Sequence, residues 1–296
     1  MGRLFIGTAG WSYPAGEGAW SGVLYPEGVK GKDELAFYSR LFNAVEVNST
    51  FYRPASPKVS KGWAERTPEG FTFTAKAWQK FTHPKMFEEL AGEDPTVGQR
   101  DYDAFKGGID PLMEAGKFGC LLFQFPPSFK ADAPSRERLE NFLIRFREYP
   151  LAVEFRHRTW SDRQAEVRDV LDSLGVAWTF IDEPKFRVSI RQTLPTQSAR
   201  AYVRLHGRNR EKWWDRDAGE QRYNYLYSQE DLFPYAGFLI ERKEAEGTTT
   251  FVFFNNHYRG QAPANALQLK LMLGETIEAQ LPKTMKEGFP FLDDGG

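Results

Sequence analysis

The residues best equipped for chemistry in this chain come in small groups, each at the end of an apolar run. Glu154, Arg156 and His157 close the stretch Leu151 to Trp160, which reads Leu-Ala-Val-Glu-Phe-Arg-His-Arg-Thr-Trp. Arg204 and His206 end another run with Arg208 just beyond, and Asn255, Asn256 and His257 end a third. Glu46 with Asn48, Lys76, Gln124 and Asp182 occupy the same place after four further runs. An unperturbed imidazole titrates at about 6.5, so His157, His206 and His257 suit proton transfer near neutral pH, with Glu46 or Glu154 as base. Lys76, Arg156, Arg204 and Arg208 suit a phosphate or carboxylate, the guanidinium groups by bidentate contact.

Other chemistries compete for the same residues. Glu46 with Lys76, or Glu154 with Arg156, can simply neutralise each other at strand ends. Carboxylates and histidines together can bind a divalent metal, yet there is no His-x-His, no His-Glu-x-x-His and no cysteine pair, and the interleaved cations oppose one. No metal ligand is assigned, and no cofactor is identified. Glu46 and Glu154 can also serve as the two carboxyl groups of a glycosidase, although strands two and five lie well apart around an eight-stranded barrel. Trp11, Tyr13 and Tyr52 are counted with the site as stacking surfaces for sugars or unstacked bases; Trp20, Phe51, Trp78, Trp160, Trp213, Trp214 and Tyr258 are further loop aromatics, many of them expected to pack the loops.

The elements that must position these groups read as short strands alternating with helices. Strands are expected at Arg3 to Ala9, Ala44 to Asn48, Phe71 to Lys76, Phe118 to Gln124, from Leu151, Val176 to Ile181, Arg200 to His206 and Thr249 to Phe254. The two-residue period puts Ala152, Glu154 and Arg156 on one face, Tyr202, Arg204 and His206 on another, and Thr72, Thr74 and Lys76 on a third. Helices are expected over Lys32 to Phe42, Pro57 to Arg66, Tyr102 to Ala115, Ser135 to Arg147, from Ser161 or Asp162 to Leu174, Gln229 to Glu246 and Ala262 to Leu273. Thr50 to Tyr52 begins a loop, residues 77–99 read as an irregular insertion, and about 274–296 as a surface tail. Eight βα pairs favour a (β/α)8 barrel of the TIM type, one α/β domain over residues 1–296, with active groups at the carboxyl ends of the strands. Neither a Gly-x-Gly-x-x-Gly turn nor a Gly-x-x-x-x-Gly-Lys-Ser/Thr loop supports a nucleotide-binding open sheet.

Composition narrows the field. A net charge of −1 argues against binding nucleic acid through bulk positive charge and requires any anion to be held by a local cluster. The single cysteine, Cys120, lies in an apolar run and reads as a buried hydrophobe. The N-terminus lacks a signal pattern, and no run approaches the roughly 18 apolar residues that span a bilayer. A cytoplasmic protein with no membrane partner is the expectation.

Six motifs in chain order carry a family resemblance: Gly7-Thr8-Ala9-Gly10-Trp11-Ser12-Tyr13, Val45-Glu46-Val47-Asn48-Ser49-Thr50-Phe51-Tyr52, Gln124-Phe125-Pro126-Pro127-Ser128-Phe129, Val153-Glu154-Phe155-Arg156-His157, Arg204-Leu205-His206-Gly207-Arg208 and Phe254-Asn255-Asn256-His257. Together they resemble the domain of unknown function 72 family (DUF72), the YecE-like proteins, from first strand to last, with no departure at the motif positions. The resemblance implies a (β/α)8-type barrel and no settled activity. That barrel is similar in fold to the divalent-metal barrels of endonuclease IV and xylose isomerase, whose metal-binding sets have no obvious counterpart here.

The expectation is therefore a polar site at the carboxyl face that takes a small anionic or phosphate-bearing ligand, with hydrolysis of a phosphate ester as its reaction. Non-catalytic binding of nucleic acid and a sugar-active enzyme are the alternatives. Substrate, oligomeric state and pathway are not legible.

Overall fold

In the computed structural model, residues 1–277 and 279–293 are described. Nine strands run parallel: β1 (Arg3–Ala9), β2 (Ala44–Val47), β3 (Thr72–Lys76), β4 (Phe118–Gln124), β5 (Leu151–Glu154), β6 (Ala177–Trp178), β7 (Phe180–Asp182), β8 (Arg200–Leu205) and β9 (Thr249–Phe254). Their order is β6-β5-β4-β3-β2-β1-β9-β8-β7, so the two ends of the sheet are the two halves of what the sequence reads as one sixth strand. The break falls at Thr179. Ala177 and Trp178 pair with β5, Phe180 to Asp182 pair with β8, and the Thr179 N–H donates to Val153 O at 2.8 Å. The Gln192 amide takes over the interrupted ladder, donating to Thr179 O at 2.7 Å and accepting from Ile181 N at 3.3 Å. One short segment thus touches both neighbours and brings the sheet round to a nearly closed TIM-like barrel with flanking helices, as the strand count implied.

Alternation along each strand then sorts the side chains. Val45, Val47, Phe73, Leu121, Phe123, Val153, Val203, Leu205, Val252 and Phe254 belong to the main core that includes the helices. The opposite set fills the barrel: Ala44, Cys120, Leu122, Ala152, Ala177, Tyr202, Phe251 and Phe253 form a separate buried cluster. Two residues further along, the same inward rows become Glu46, Gln124, Glu154, Arg204 and Asn255, so the period that builds the apolar floor also delivers polar groups above it. Cys120 is fully buried there, and burial pushes its thiol up to about 12.

Several local expectations give way. The expected loop at Thr50 to Tyr52 is a single helical turn, Ser49–Tyr52, and the helix expected over Lys32 to Phe42 is confined to Glu34–Tyr38. A turn at Arg158–Ser161 precedes the helix Gln164–Ser173, so neither Ser161 nor Asp162 is its cap. Residues 77–99 are not a loose insertion: they hold helices Gln79–Thr82 and Pro84–Ala91, because Pro84 starts a helix as readily as it ends one and Gly92, at φ +67°, closes it. Phe81 packs this segment against Phe105, Phe142 and Phe146, and Lys80 pairs with Asp101 at 3.0 Å. The expected tail also packs. Leu281, Met285, Phe289 and Leu292 are buried, at the spacing of the helix Lys283–Gly288 and the turn after it; the end of that stretch lies outside the described residues.

Candidate functional site

The carboxyl ends of the strands surround a cavity of about 730 Å³, within the range of small-molecule sites. Its floor is an ion-pair network built from three inward rows. Arg204 on β8 donates to Glu46 Oε1 on β2 at 2.7 Å and to Glu154 Oε2 on β5 at 2.6 Å. Arg156, two residues past Glu154 on the same face, donates from Nε to Glu154 Oε1 at 2.5 Å and pairs with Glu183. Glu46 also accepts from the Tyr202 hydroxyl at 2.7 Å, and Tyr202 meets Thr74 at 2.8 Å. Burial works against the charge on Glu154, but Arg156 and Arg204 outweigh it and hold the carboxyl below its ordinary range. Each guanidinium is therefore shared between two carboxylates, and removing one partner would strand a buried charge.

His206 completes this floor. Its Nε2 lies 3.0 Å from an Arg156 amino group, which can only donate, so Nε2 is the accepting side of that contact. The Asn255 amide sits 2.9 Å from Nδ1. Burial, then Arg156, Arg204 and Lys76, holds His206 well below its usual value. His257 is stacked on Tyr13 with ring centroids 4.5 Å apart and is flanked by Tyr223 at 4.6 Å; burial pushes it down to about 4. Its Nδ1 has no partner among the described residues. The fourth histidine, His83, enters the cavity from the packed segment after β3, bonded to the Thr82 hydroxyl at 2.8 Å and pushed down to about 3 by burial and then by Lys76 and Arg156. All the histidines at the cavity are neutral at pH 7.

Lys76 differs from its neighbours. It ends β3 on the inward face, half-buried, with its ammonium 4.1 Å above the Phe51 ring. Among the described residues no carboxylate comes within ion-pair distance of it. Burial pushes it down to about 7, Arg204 adding to the shift and the more distant Glu46 and Glu154 opposing it. Arg222, in the turn Arg216–Tyr223 at the cavity wall, also has no carboxylate partner among the described residues and donates to the carbonyls of Gly219 and Asp215, at 3.2 and 3.3 Å.

A family model described as a protein of unknown function, DUF72, matches residues 5–287, nearly the whole chain. The chain belongs to the DUF72 family. A curated relative, the UPF0759 protein YunF of Bacillus subtilis, is 28% identical over 291 residues, covering 95% of this chain and 99% of that protein. A DUF72 family protein of Thermotoga maritima is similar in structure, with a TM-score of 0.77 at 38% identity over 92% of this chain and 100% of its own. A second DUF72 structure, from Enterococcus faecalis, has a TM-score of 0.78 at 21% identity over 95% of this chain and 99% of its own, a likeness of fold. None of these names an activity.

In this DUF72 barrel, Trp11, Tyr13, Asn48, Tyr52, Lys76, Gln124, Arg156, Arg204, His206, Asn255 and His257 line one cavity. Glu46 and Glu154 lie beneath it, fully buried. Four other residues singled out by sequence do not join them. His157 caps the turn Arg158–Ser161, its Nδ1 accepting from Thr159 N at 3.3 Å. Asp182 and Arg208 neutralise each other at 2.7 Å, with Tyr235 and Asp231 completing the cluster. Asn256 ties the backbone of Tyr225 to Asn265, both at short range, 2.8 and 2.9 Å. Gly207 makes that exit from β8 possible: at φ +84° a Cβ would meet Tyr225 at 2.8 Å. Of the loop aromatics, Trp20 and Trp160 are packing residues, donating to His257 O and Phe129 O. Phe51, Trp213 and Trp214 instead line the cavity, as do His83, Glu183, Arg222 and Tyr223, which the sequence reading passed over. Among the described residues no three histidine, cysteine or acidic side chains converge as a metal site, and no helix is long and apolar enough to cross a membrane.

Proposed function

We propose that this barrel binds a small ligand that joins an anionic group, phosphate or carboxylate, to a ring or other flat body. One observation carries the reading: Arg156 and Arg204 are consumed by carboxylates, whereas Lys76 and Arg222 face the same cavity with no carboxylate partner among the described residues. Two uncompensated cations in one cavity favour a ligand that brings negative charge with it. The aromatic lining, including Trp11, Tyr52, Trp213 and Trp214, supports the flat body. Hydrolysis of a phosphate ester draws less support than binding. Glu46 and Glu154 are held by guanidinium groups, and the cavity histidines are too weakly basic to bring a proton to a leaving group at pH 7.

The test is calorimetric titration of the chain with phenyl phosphate and with phenol. Phenyl phosphate is expected to bind, phenol to bind at least about tenfold more weakly, and Lys76→Met to erase the difference, a change of about 1.4 kcal/mol or more. Equal binding of the two would end the proposal. A second reading, contact with single-stranded nucleic acid, is favoured by the exposure of Tyr52 and Trp214 at the mouth, each 61% accessible. Affinity for an oligonucleotide that falls steeply with added salt would support it.

A further inference from the structure

Ion pairing does not exhaust what Lys76 can do. Its amine stands at the carboxyl end of a barrel strand, opens on the cavity and rests on the face of Phe51 at 4.1 Å. The groups that face it are Glu46 from β2, Glu154 from β5, Arg156 just beyond, Arg204 from β8 with the neutral His206 after it, and His83 from the segment after β3. Both carboxylates are tied to guanidinium groups and His83 is uncharged, so none of these offers the ammonium a dedicated counter-ion. A lysine desolvated beside other cations is a neutral nucleophile near pH 7, and such amines condense with carbonyl groups.

We infer that Lys76 forms an imine with an aldehyde or ketone that also carries an anionic group. This rests on the anionic-ligand reading of the same cavity, with Arg222 and the protonated fraction of Lys76 drawing the ligand's charge and the neutral fraction of Lys76 meeting its carbonyl. The lone pair of Nζ attacks the carbonyl carbon and forms the C–N bond. The carbonyl π electrons pass to oxygen, which takes the proton that nitrogen gives up. The hydroxyl then leaves as water with the second proton of nitrogen, whose lone pair forms the C=N bond, so the step consumes one amine and one carbonyl, releases one water and needs no oxidant or reductant. With Lys76 pushed down to about 7, the fraction of neutral amine at pH 7 is about a thousandfold that of a surface lysine titrating near 10.4.

The test treats the full chain with pyridoxal 5′-phosphate, a phosphorylated aldehyde, reduces with borohydride and locates the adduct by peptide mass spectrometry. The adduct is expected on Lys76 ahead of the surface lysines, with a yield that climbs through about pH 7 and then levels while surface labelling keeps rising. Lys76→Arg, which keeps a cation but has no nucleophilic amine, should lose that adduct while the surface lysines label as before. Labelling spread over surface lysines, or no adduct at Lys76 while phenyl phosphate still binds, overturns the imine and spares the anionic-ligand reading. An adduct at Lys76 made equally well by pyridoxal, in a chain that does not bind phenyl phosphate, sustains the imine and removes the anionic-ligand reading.

Discussion

Arg204 and Lys76 project into one barrel from the ends of two strands, yet they stand in opposite electrostatic situations. Arg204 is almost wholly buried and answers two buried carboxylates, Glu46 and Glu154. Lys76 is less buried, has an aromatic face for a neighbour and answers no carboxylate. A cation whose charge is cancelled internally ties the barrel rim together; one left uncancelled costs stability, and on the proposed function it is kept for what enters the cavity. Residue type alone does not separate these roles, since both are basic residues at strand ends.

The largest expected effect comes from breaking the cancelled side. Arg204→Met leaves Glu46 and Glu154 buried without their shared partner and should cost about 3–5 kcal/mol in denaturant unfolding. Adding Glu46→Gln to that variant should recover part of the loss. A loss below about 1 kcal/mol would show that the network contributes little to the fold. Lys76→Met, by contrast, should unfold within about 1 kcal/mol of the parent or above it while losing phenyl phosphate binding. If it destabilised as Arg204→Met does, the contrast between the two cations would collapse.

A pH series sharpens the same contrast. Lys76 titrates at about 7 in the folded chain and near 10.4 unfolded. Between those values the unfolded state binds more protons, so the contribution of Lys76 to stability rises with pH, by at most about 1.4 kcal/mol per unit. Below about 7 the group is charged in both states and the cost of burying it is fully present. The difference in unfolding free energy between the parent and Lys76→Met should therefore change in this direction between about pH 7 and pH 9. A flat difference would mean that the ammonium is solvated through the cavity mouth.

Much of this arrangement was legible in the sequence, because strand period and strand ends are local signals. The inward rows of β2, β3, β5 and β8 follow from the two-residue alternation around Glu46, Lys76, Glu154 and Arg204. Pairing is not local. Nothing in the order of residues says that Arg204 meets Glu154 across 50 positions, or that Arg208 is spent on Asp182. His83 was hidden by its setting, where Trp78, Pro84 and Pro95 suggested a loop; only the helical spacing through Phe87 to Gly92 hinted at a packed segment. The broken sixth strand left no sequence mark either, since the switch at Thr179 depends on the Gln192 amide reached through the fold.

His157 shows the limit of strand-end reasoning most clearly. It follows Glu154 and Arg156 in one motif, but the strand ends at Glu154, and by His157 the chain has turned away from the cavity and pairs instead with Ser189. Its ring accepts from the Thr159 N–H at the start of the next turn and meets the Thr159 hydroxyl at 3.0 Å, which in turn receives the Ala131 N–H at 3.0 Å. That is the chemistry of a helix cap, served here by an imidazole. His157→Ala should cost about 0.5–2 kcal/mol of stability and leave phenyl phosphate affinity unchanged. His157→Asn, which restores a side-chain acceptor, should recover most of that cost. A loss of ligand affinity in His157→Ala at unchanged stability would return this histidine to the site and redraw the boundary of the cavity.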